Sequence, residues 1–260
     1  MSHPNSQPPA TLPLTVVIPT LNEAKHLTEL LPSLGWADEV IVADGGSTDD
    51  TVSIARRLGA RVVEVRGRTL GAQRNAAIEA ARNEWILALD ADERVTDALR
   101  GDLAAVVATP THQAYRIRFQ NMYLGRERTR GRWGRDWHVR LFRRERRFVD
   151  ARVHPDLEPI ADVGTLRGTI RHVPYRDLTH HLEKMIAYAR WGAEELHARG
   201  RRARLWEVAM RPWWRFMRDY LVHRSFLDGT YGFVASALTA YSVFLKYAYL
   251  WNMTERPAAG

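Results

Sequence analysis

Trp85–Val95 reads WILALDADERV. Its first five residues, Trp85 to Leu89, form an unbroken apolar run of the length expected for a buried strand. The run stops at two carboxylates separated by one residue, Asp90-Ala91-Asp92. A buried strand that ends this way brings two oxygen ligands to the lip of a sheet. If the chain stays extended through them, side chains two apart point the same way and both acids face one cation. An isolated Asp-x-Asp is otherwise a polar loop after a strand, and the residues on either side decide between the two readings.

Upstream, Leu14–Ile18 (LTVVI) reads as a first buried strand, ended by Pro19. Leu27, Leu30, Leu31 and Leu34 lie at helical spacing within Glu23–Leu34, with Asn22 placed to cap the helix. Val40–Ala43 is a second strand and runs into Asp44-Gly45-Gly46-Ser47-Thr48-Asp49. A helix over Asp50–Leu58, a stop at Gly59, a third strand over Ala60–Val65 and a helix over Ala72–Arg82 complete the approach to Trp85. This alternation predicts an α/β fold with a mostly parallel sheet wrapped by helices on both faces. Ligands of such sheets sit beyond the carboxyl ends of the strands, where Pro19–Glu23, Asp44–Asp49 and Asp90–Asp92 converge. Asp44 can accept hydrogen bonds from a nucleobase or ribose, and Gly45 and Gly46 let backbone approach a ligand closely; DGGS is equally a good turn. Arg74, near a helix start, faces either a diphosphate or solvent. No GxGxxG is present, which argues against a dinucleotide enzyme.

VVIPTLNEA, DEVIVADGGSTDDT, GAQRNAA and WILALDADE, in this order and spacing, closely resemble the family 2 glycosyltransferases of the GT-A fold. The resemblance covers residues 14–110 and implies an inverting enzyme that uses a nucleotide-diphosphate sugar and a divalent ion, Mg²⁺ or Mn²⁺. By position, Pro19, Thr20, Asn22 and Glu23 are expected to line the nucleotide pocket. Asp44 and Gly46 would serve the uracil or ribose side, Arg74 the diphosphate, Asp90 the ribose and Asp92 the metal.

Further on, Asp97–Val107 reads as a helix and Ala114–Gln120 as a strand. Asn121–Arg147 is then dense in arginine, ten between Arg126 and Arg147, and Gly125, Gly131 and Gly134 make it read as a mobile loop. Trp133 and Trp137 offer flat apolar surfaces to a sugar. The run is a solvated face, an RNA-binding surface or an anionic acceptor site; no RNA-binding module is recognisable, so no nucleic-acid partner is expected. Inversion in one displacement needs a base for the acceptor hydroxyl. The resemblance puts it at Asp136, with Asp150, Asp156 and Glu127 as alternatives. His154, in RVHPDLE, is a second candidate for the metal, or else a packed or solvent-facing histidine. Family members tend to carry Val-His-Glu here, whereas Pro155 and Asp156 follow in this chain.

The last eighty residues read as helices: Leu178–Arg199, then a stretch in which Trp206, Met210, Trp213, Trp214 and Phe216 alternate with Arg211, Arg215 and Arg218. Pro212 is expected to break this stretch or to begin a new helix within it. Mixed basic and aromatic residues suit a helix lying in a membrane interface, or one packed on the catalytic domain. The fifteen uncharged residues Tyr231–Leu245 fall short of the ~20 needed to span a bilayer and read as a buried or interfacial helix, although a snorkelling Lys246 could extend them into a span. YRDLTHHLEKM, FLDGTYGF and FLKYAYLW resemble the tail of bacterial lipopolysaccharide-core β-1,4-glucosyltransferases, which add glucose to inner-core heptose.

With 260 residues the chain is long enough for one large domain or a domain plus an appendage. The expected division is a disordered tail over 1–13, a nucleotide-sugar-binding half over 14–110, an acceptor half over 111–177 and a helical, membrane-associating region over 178–256. Residues 1–13 lack the basic and apolar regions of a secretory signal. The absence of cysteine excludes disulfides and thiolate metal sites, and the formal charge of +8 favours anionic partners. The expected function is transfer of a hexose, glucose from UDP-glucose, to a lipopolysaccharide inner-core heptose. The setting would be the cytosolic membrane surface, with the protein cytoplasmic and peripheral on the inner face of the plasma membrane. Transfer to a polyprenyl phosphate or another lipid-linked acceptor is the alternative, and a non-catalytic nucleotide-sugar or RNA-binding protein is the reading from another class.

Overall fold

A computed structural model of the chain describes residues 11–67, 69–128, 136–150, 155–175 and 177–255. It divides into two compact units, Met1–Phe119 with Trp137–His172, and Gln120–Asp136 with Val173–Gly260.

The first unit begins with four strands, β1 (Leu12–Thr20), β2 (Ala37–Asp44), β3 (Arg61–Glu64) and β4 (Trp85–Ala88). Between them lie α1 (Ala24–Leu30), which tightens into a 3₁₀ turn over Leu31–Leu34, then α2 (Thr51–Arg57) and α3 (Leu70–Ala80). The period-2 geometry of β1 sends Leu14, Val16 and Ile18 to one face, into a core with Leu27, Leu30, Leu99 and Leu103. Val17 points to the other face, where Ala77 and Ile78 of α3 cover it. Both faces are thus buried, which is why these strands read as continuous apolar runs rather than as alternating ones.

After β4 come β5 (Glu93–Val95), α4 (Asp97–Ala108), β6 (Ala114–Tyr123), β7 (Arg126–Glu127), β8 (Trp137–Arg143) and β9 (Val163–His172). The strand order is β3-β2-β1-β4-β8-β6-β9-β5, with β7 paired to β6. The first four strands are parallel; β8 is antiparallel to β4 and β6, and β5 to β9, so the sheet is mixed. Gly168 of β9 lies against α4, where an added Cβ would fall 2.2 Å from the Leu99 Cα.

Three local expectations are corrected. Pro19 does not end β1; it pairs with Ala43 inside the strand. The Val17 carbonyl accepts the Leu89 N–H on the β4 side, so residue 19, two further along, meets that side beyond the paired part of β4, where a missing N–H breaks no ladder bond. Asn22 does not cap α1. The cap position is Glu23, and Asn22 adopts a left-handed backbone, φ 58°. The arginine-dense stretch is not one loop, because β8 runs through it between β4 and β6. Its residues 129–135, Trp133 included, lie outside the described residues.

In the second unit α5 (Leu178–Ala198), α6 (Leu205–Met217) and α7 (Gly229–Glu255) follow in order. Ala193 of α5 packs with Tyr247 and Leu250 of α7, and Val208 of α6 lies against them. Helix α6 continues through Pro212. Helix α7, with the turn before it, is long and apolar enough to cross a membrane by length and composition, and only 28% of its apolar window is buried; its 27 residues outrun the fifteen-residue reading because the helix continues past Lys246. At the start of α7, Arg128 pairs with Asp228 at 2.9 Å and Arg126 lies over the Tyr231 ring. His181 is buried, stacked on Tyr175 with ring centroids 3.8 Å apart and with its Nδ1 3.1 Å from the Tyr123 hydroxyl. Burial, helped by the neighbouring His180, pulls its pKa down to about 4.

Candidate active site

The register of the parallel strands brings three loops to one edge. Thr20 lies opposite Asp44, Pro19 opposite Ala43, and Val17 opposite Ala88. The chain therefore leaves β1, β2 and β4 side by side, and residues 19–23, 44–49 and 90–92 share one rim. The first two loops are tied together. Asn22 Oδ1 accepts the Thr48 N–H and the Asn22 N–H donates to Ser47 Oγ, both at 2.8 Å. The Glu23 N–H donates to Thr51 Oγ1 at 2.8 Å. Thr20 is buried, and its carbonyl accepts the Gly45 N–H at 2.8 Å.

Asp44 is 2% exposed and shapes its own loop. Its Oδ2 accepts the N–H groups of Gly46 and Ser47 at 3.0 and 2.9 Å, and its Oδ1 accepts the Ser47 hydroxyl. Gly46 sits at φ 105°, where only glycine is unstrained.

Asp90 and Asp92 do not point the same way, because the chain turns instead of staying extended. The Glu93 N–H donates to the Asp90 carbonyl at 3.0 Å, closing a tight turn directly after β4. Asp90 is held between two arginines: Oδ1 accepts from Arg74 Nη2, and Oδ2 accepts from Arg140 Nη2 at 3.2 Å. Burial works against its charge, but the two guanidiniums win and hold the carboxyl well below the usual carboxylate range. Arg74 is only 5% exposed and lies over the Phe148 ring at 4.9 Å. It reaches Asp90 from α3 instead of standing as an open cation at the helix start. Behind them Glu93 is 1% exposed, and burial pushes its carboxyl up to about 7 against the pull of Arg140.

Asp92 faces His172, at the end of β9, with Oδ2 and Nε2 3.7 Å apart. Burial disfavours the His172 cation, yet Asp92, with Glu93 and Asp90 behind it, holds its pKa above the ordinary value. His154, the histidine expected here, lies outside the described residues. No local pattern marks His172; it is found only through the antiparallel pairing of Glu93 with His172. Among the described residues no three metal-ligating side chains come together. One carboxylate and one imidazole could nevertheless hold a divalent ion whose remaining positions would be taken by a bound diphosphate and water.

Asp136 belongs to the second unit, where its Oδ2 accepts a hydrogen bond from Nδ2 of the buried Asn121 at 3.0 Å. Glu127 lies in the same unit and is exposed, whereas Asp150 and Asp156 lie in the first. In the first unit Asp150 is paired with Thr69, the N-cap residue of α3.

Comparison with known proteins places this geometry. An uncharacterized glycosyltransferase of Rickettsia typhi is 28% identical over 255 residues, 93% of this chain and 87% of that protein. LpsC of Rhizobium meliloti, a lipopolysaccharide core biosynthesis glycosyltransferase, is 26% identical over 250 residues, covering 93% of each. Among solved structures, residues 1–349 of Staphylococcus aureus TarS in complex with UDP-GlcNAc share the fold, with a TM-score of 0.50 at 18% identity over 90% of this chain and 91% of that one. The model of glycosyl transferase family 2 matches residues 15–160, the span that holds all three loops of the rim, and the chain belongs to that family: it is a glycosyltransferase of the GT-A fold.

Proposed function

We propose that the chain transfers glucose from UDP-glucose, with inversion at the anomeric carbon, to a heptose of the lipopolysaccharide inner core. The observation that carries this reading is the meeting of three strand-end loops around a fixed Asp90 and an Asp92–His172 pair. Similarity to LpsC along nearly the whole chain supports the acceptor class.

In this reading Pro19, Thr20, Asn22 and Glu23 line the nucleotide pocket, and the Asp44–Gly46 loop takes the uracil side. Asp90 accepts hydrogen bonds from the ribose, kept ionised and aimed by Arg74. The acceptor oxygen attacks the anomeric carbon, Asp136 takes its proton, and the bond from that carbon to the diphosphate breaks, leaving UDP with the electron pair. Asn121 donates to one oxygen of Asp136 and steadies its side chain. Mg²⁺ or Mn²⁺, held by Asp92 and His172, supplies positive charge to the departing diphosphate when bound. The protein works at the cytosolic face of the plasma membrane. Its α6 exposes Trp206, Trp213 and Trp214 beside Arg211 and Arg215, chemistry that suits an interface carrying an anionic lipid-linked acceptor.

The test is incubation of the purified protein with a panel of UDP- and GDP-sugars, Mg²⁺ or Mn²⁺ and deep-core lipopolysaccharide, following free nucleotide. UDP-glucose is expected to be consumed only with acceptor present. Asp92→Ala is expected to abolish metal-dependent turnover with an unchanged circular dichroism spectrum, and Asp136→Asn to keep UDP-glucose binding while losing turnover. Normal turnover of Asp92→Ala overturns the metal site, and consumption only with polyprenyl phosphate overturns the acceptor.

A further inference from the structure

Arg140 is an arginine in the interior of a sheet. It lies on β8, 8% exposed, with its guanidinium over the Phe119 ring at 5.1 Å. One nitrogen, Nη2, donates to Glu93 Oε1 at 2.7 Å and to Asp90 Oδ2 at 3.2 Å. Glu93 Oε2 in turn accepts the Asp90 N–H at 2.9 Å. The turn from Asp90 to Glu93 is therefore closed three times: by its own backbone bond, by the Glu93 side chain on the Asp90 amide, and by Arg140 bridging the first and last carboxylates. Three acids, Asp90, Asp92 and Glu93, crowd this turn, and without a cation between them they repel.

A buried ion pair is a poor source of stability. Desolvation cancels most of its attraction, and a neutral pair of the same shape often folds as well. What the pair does supply is direction: it fixes which way each carboxylate of the turn points. We propose that Arg140 and Glu93 are positioning residues for the Asp-x-Asp turn, holding Asp90 between the two arginines and leaving Asp92 beside His172, so that Asp92 alone meets the ion carried by the donor. The proposal rests on the reading of Asp92 as the metal-side acid.

The test uses the full chain and compares wild type, Asp92→Ala, Arg140→Lys, the neutral pair Glu93→Gln/Arg140→Gln, and that pair combined with Asp92→Ala. Urea unfolding reports the fold, Mn²⁺ paramagnetic resonance and calorimetry report affinity for Mn²⁺ with UDP, and donor KM and kcat are measured separately. In the neutral pair the carboxamide at position 93 still accepts the Asp90 N–H and can donate to the carboxamide at position 140. It is expected to unfold near the wild-type midpoint while losing about tenfold in Mn²⁺·UDP affinity, as removal of an outer-shell partner does. Donor KM is expected to rise with it, and in the Asp92→Ala background the effect is expected to vanish. An affinity within about threefold of wild type in the folded neutral pair overturns the proposal. Should that pair not fold, Arg140→Lys decides: its ammonium cannot bridge both acids and stack on Phe119, so a loss of about tenfold is expected and one under about threefold overturns it. Undiminished Mn²⁺·UDP binding by Asp92→Ala alone removes the reading of Asp92, a failure distinct from that of Arg140.

Discussion

At the scale of single residues, Asp90 owes its charge and its aim to two arginines, Arg74 on one oxygen and Arg140 on the other. Asp44, Arg74, Asp90 and Asp92 stand out in the sequence as polar residues beside the ends of apolar runs. Nothing local says that Arg74 will be drawn under cover by Asp90, or that Arg140 will reach Asp90 across fifty residues of chain. Asp90-Ala91-Asp92 does not stay extended for a similar reason, since its turn is closed by the buried Glu93. Gly46 is a case where residue identity follows directly from the backbone. At φ 105°, with its N–H on Asp44 Oδ2, a Cβ brings strain that this loop cannot shed. Gly46→Ala is expected to cost about 1–2 kcal/mol in urea unfolding and to raise donor KM several-fold with kcat little changed. An unchanged KM would separate this loop from donor binding.

At the scale of elements, the parallel half followed from its unbroken apolar runs, because both faces of those strands are covered. Strand β8 escaped that reading: WHVRLFR carries arginines at positions that the sheet nevertheless partly buries. Arg140 is buried among acids, and Arg143 is anchored by Glu84 and the Trp85 ring, so each has a partner that no window of sequence contains. Helix α6 is the opposite case, an amphipathic pattern visible at once whose outward face is the unusual one. Trp206, Trp213 and Trp214 are 55%, 57% and 58% exposed, too much aromatic surface to be ornamental on a soluble helix. Replacing all three by serine is expected to leave folding intact and to weaken binding to anionic lipid vesicles by at least about tenfold, about 1.4 kcal/mol. Unaltered co-sedimentation would refute the membrane role of α6.

At the scale of the molecule, the rim residues Pro19–Glu23, Asp44, Arg74, Asp90, Asp92 and His172 belong to one compact unit, while Asp136 and the aromatic helices belong to the other. The second unit carries its own pH sensitivity through His181. A histidine whose pKa falls from 6.5 unfolded to about 4 folded favours the native state while neutral. That contribution is complete above pH 6.5 and is lost progressively as pH falls toward 4. His181→Gln, whose carboxamide can still hydrogen-bond to the Tyr123 hydroxyl but does not titrate, is expected to flatten the decline of the urea midpoint across this window. Parallel profiles for the two proteins would show that His181 does not drive it. The lashing of Asn22 to Thr48, and of Glu23 to Thr51, has one more consequence. A rim braced in advance has little freedom of its own left to lose, so under the proposed reading even fragments the size of a nucleoside are expected to bind there with high efficiency per atom, as calorimetry would show.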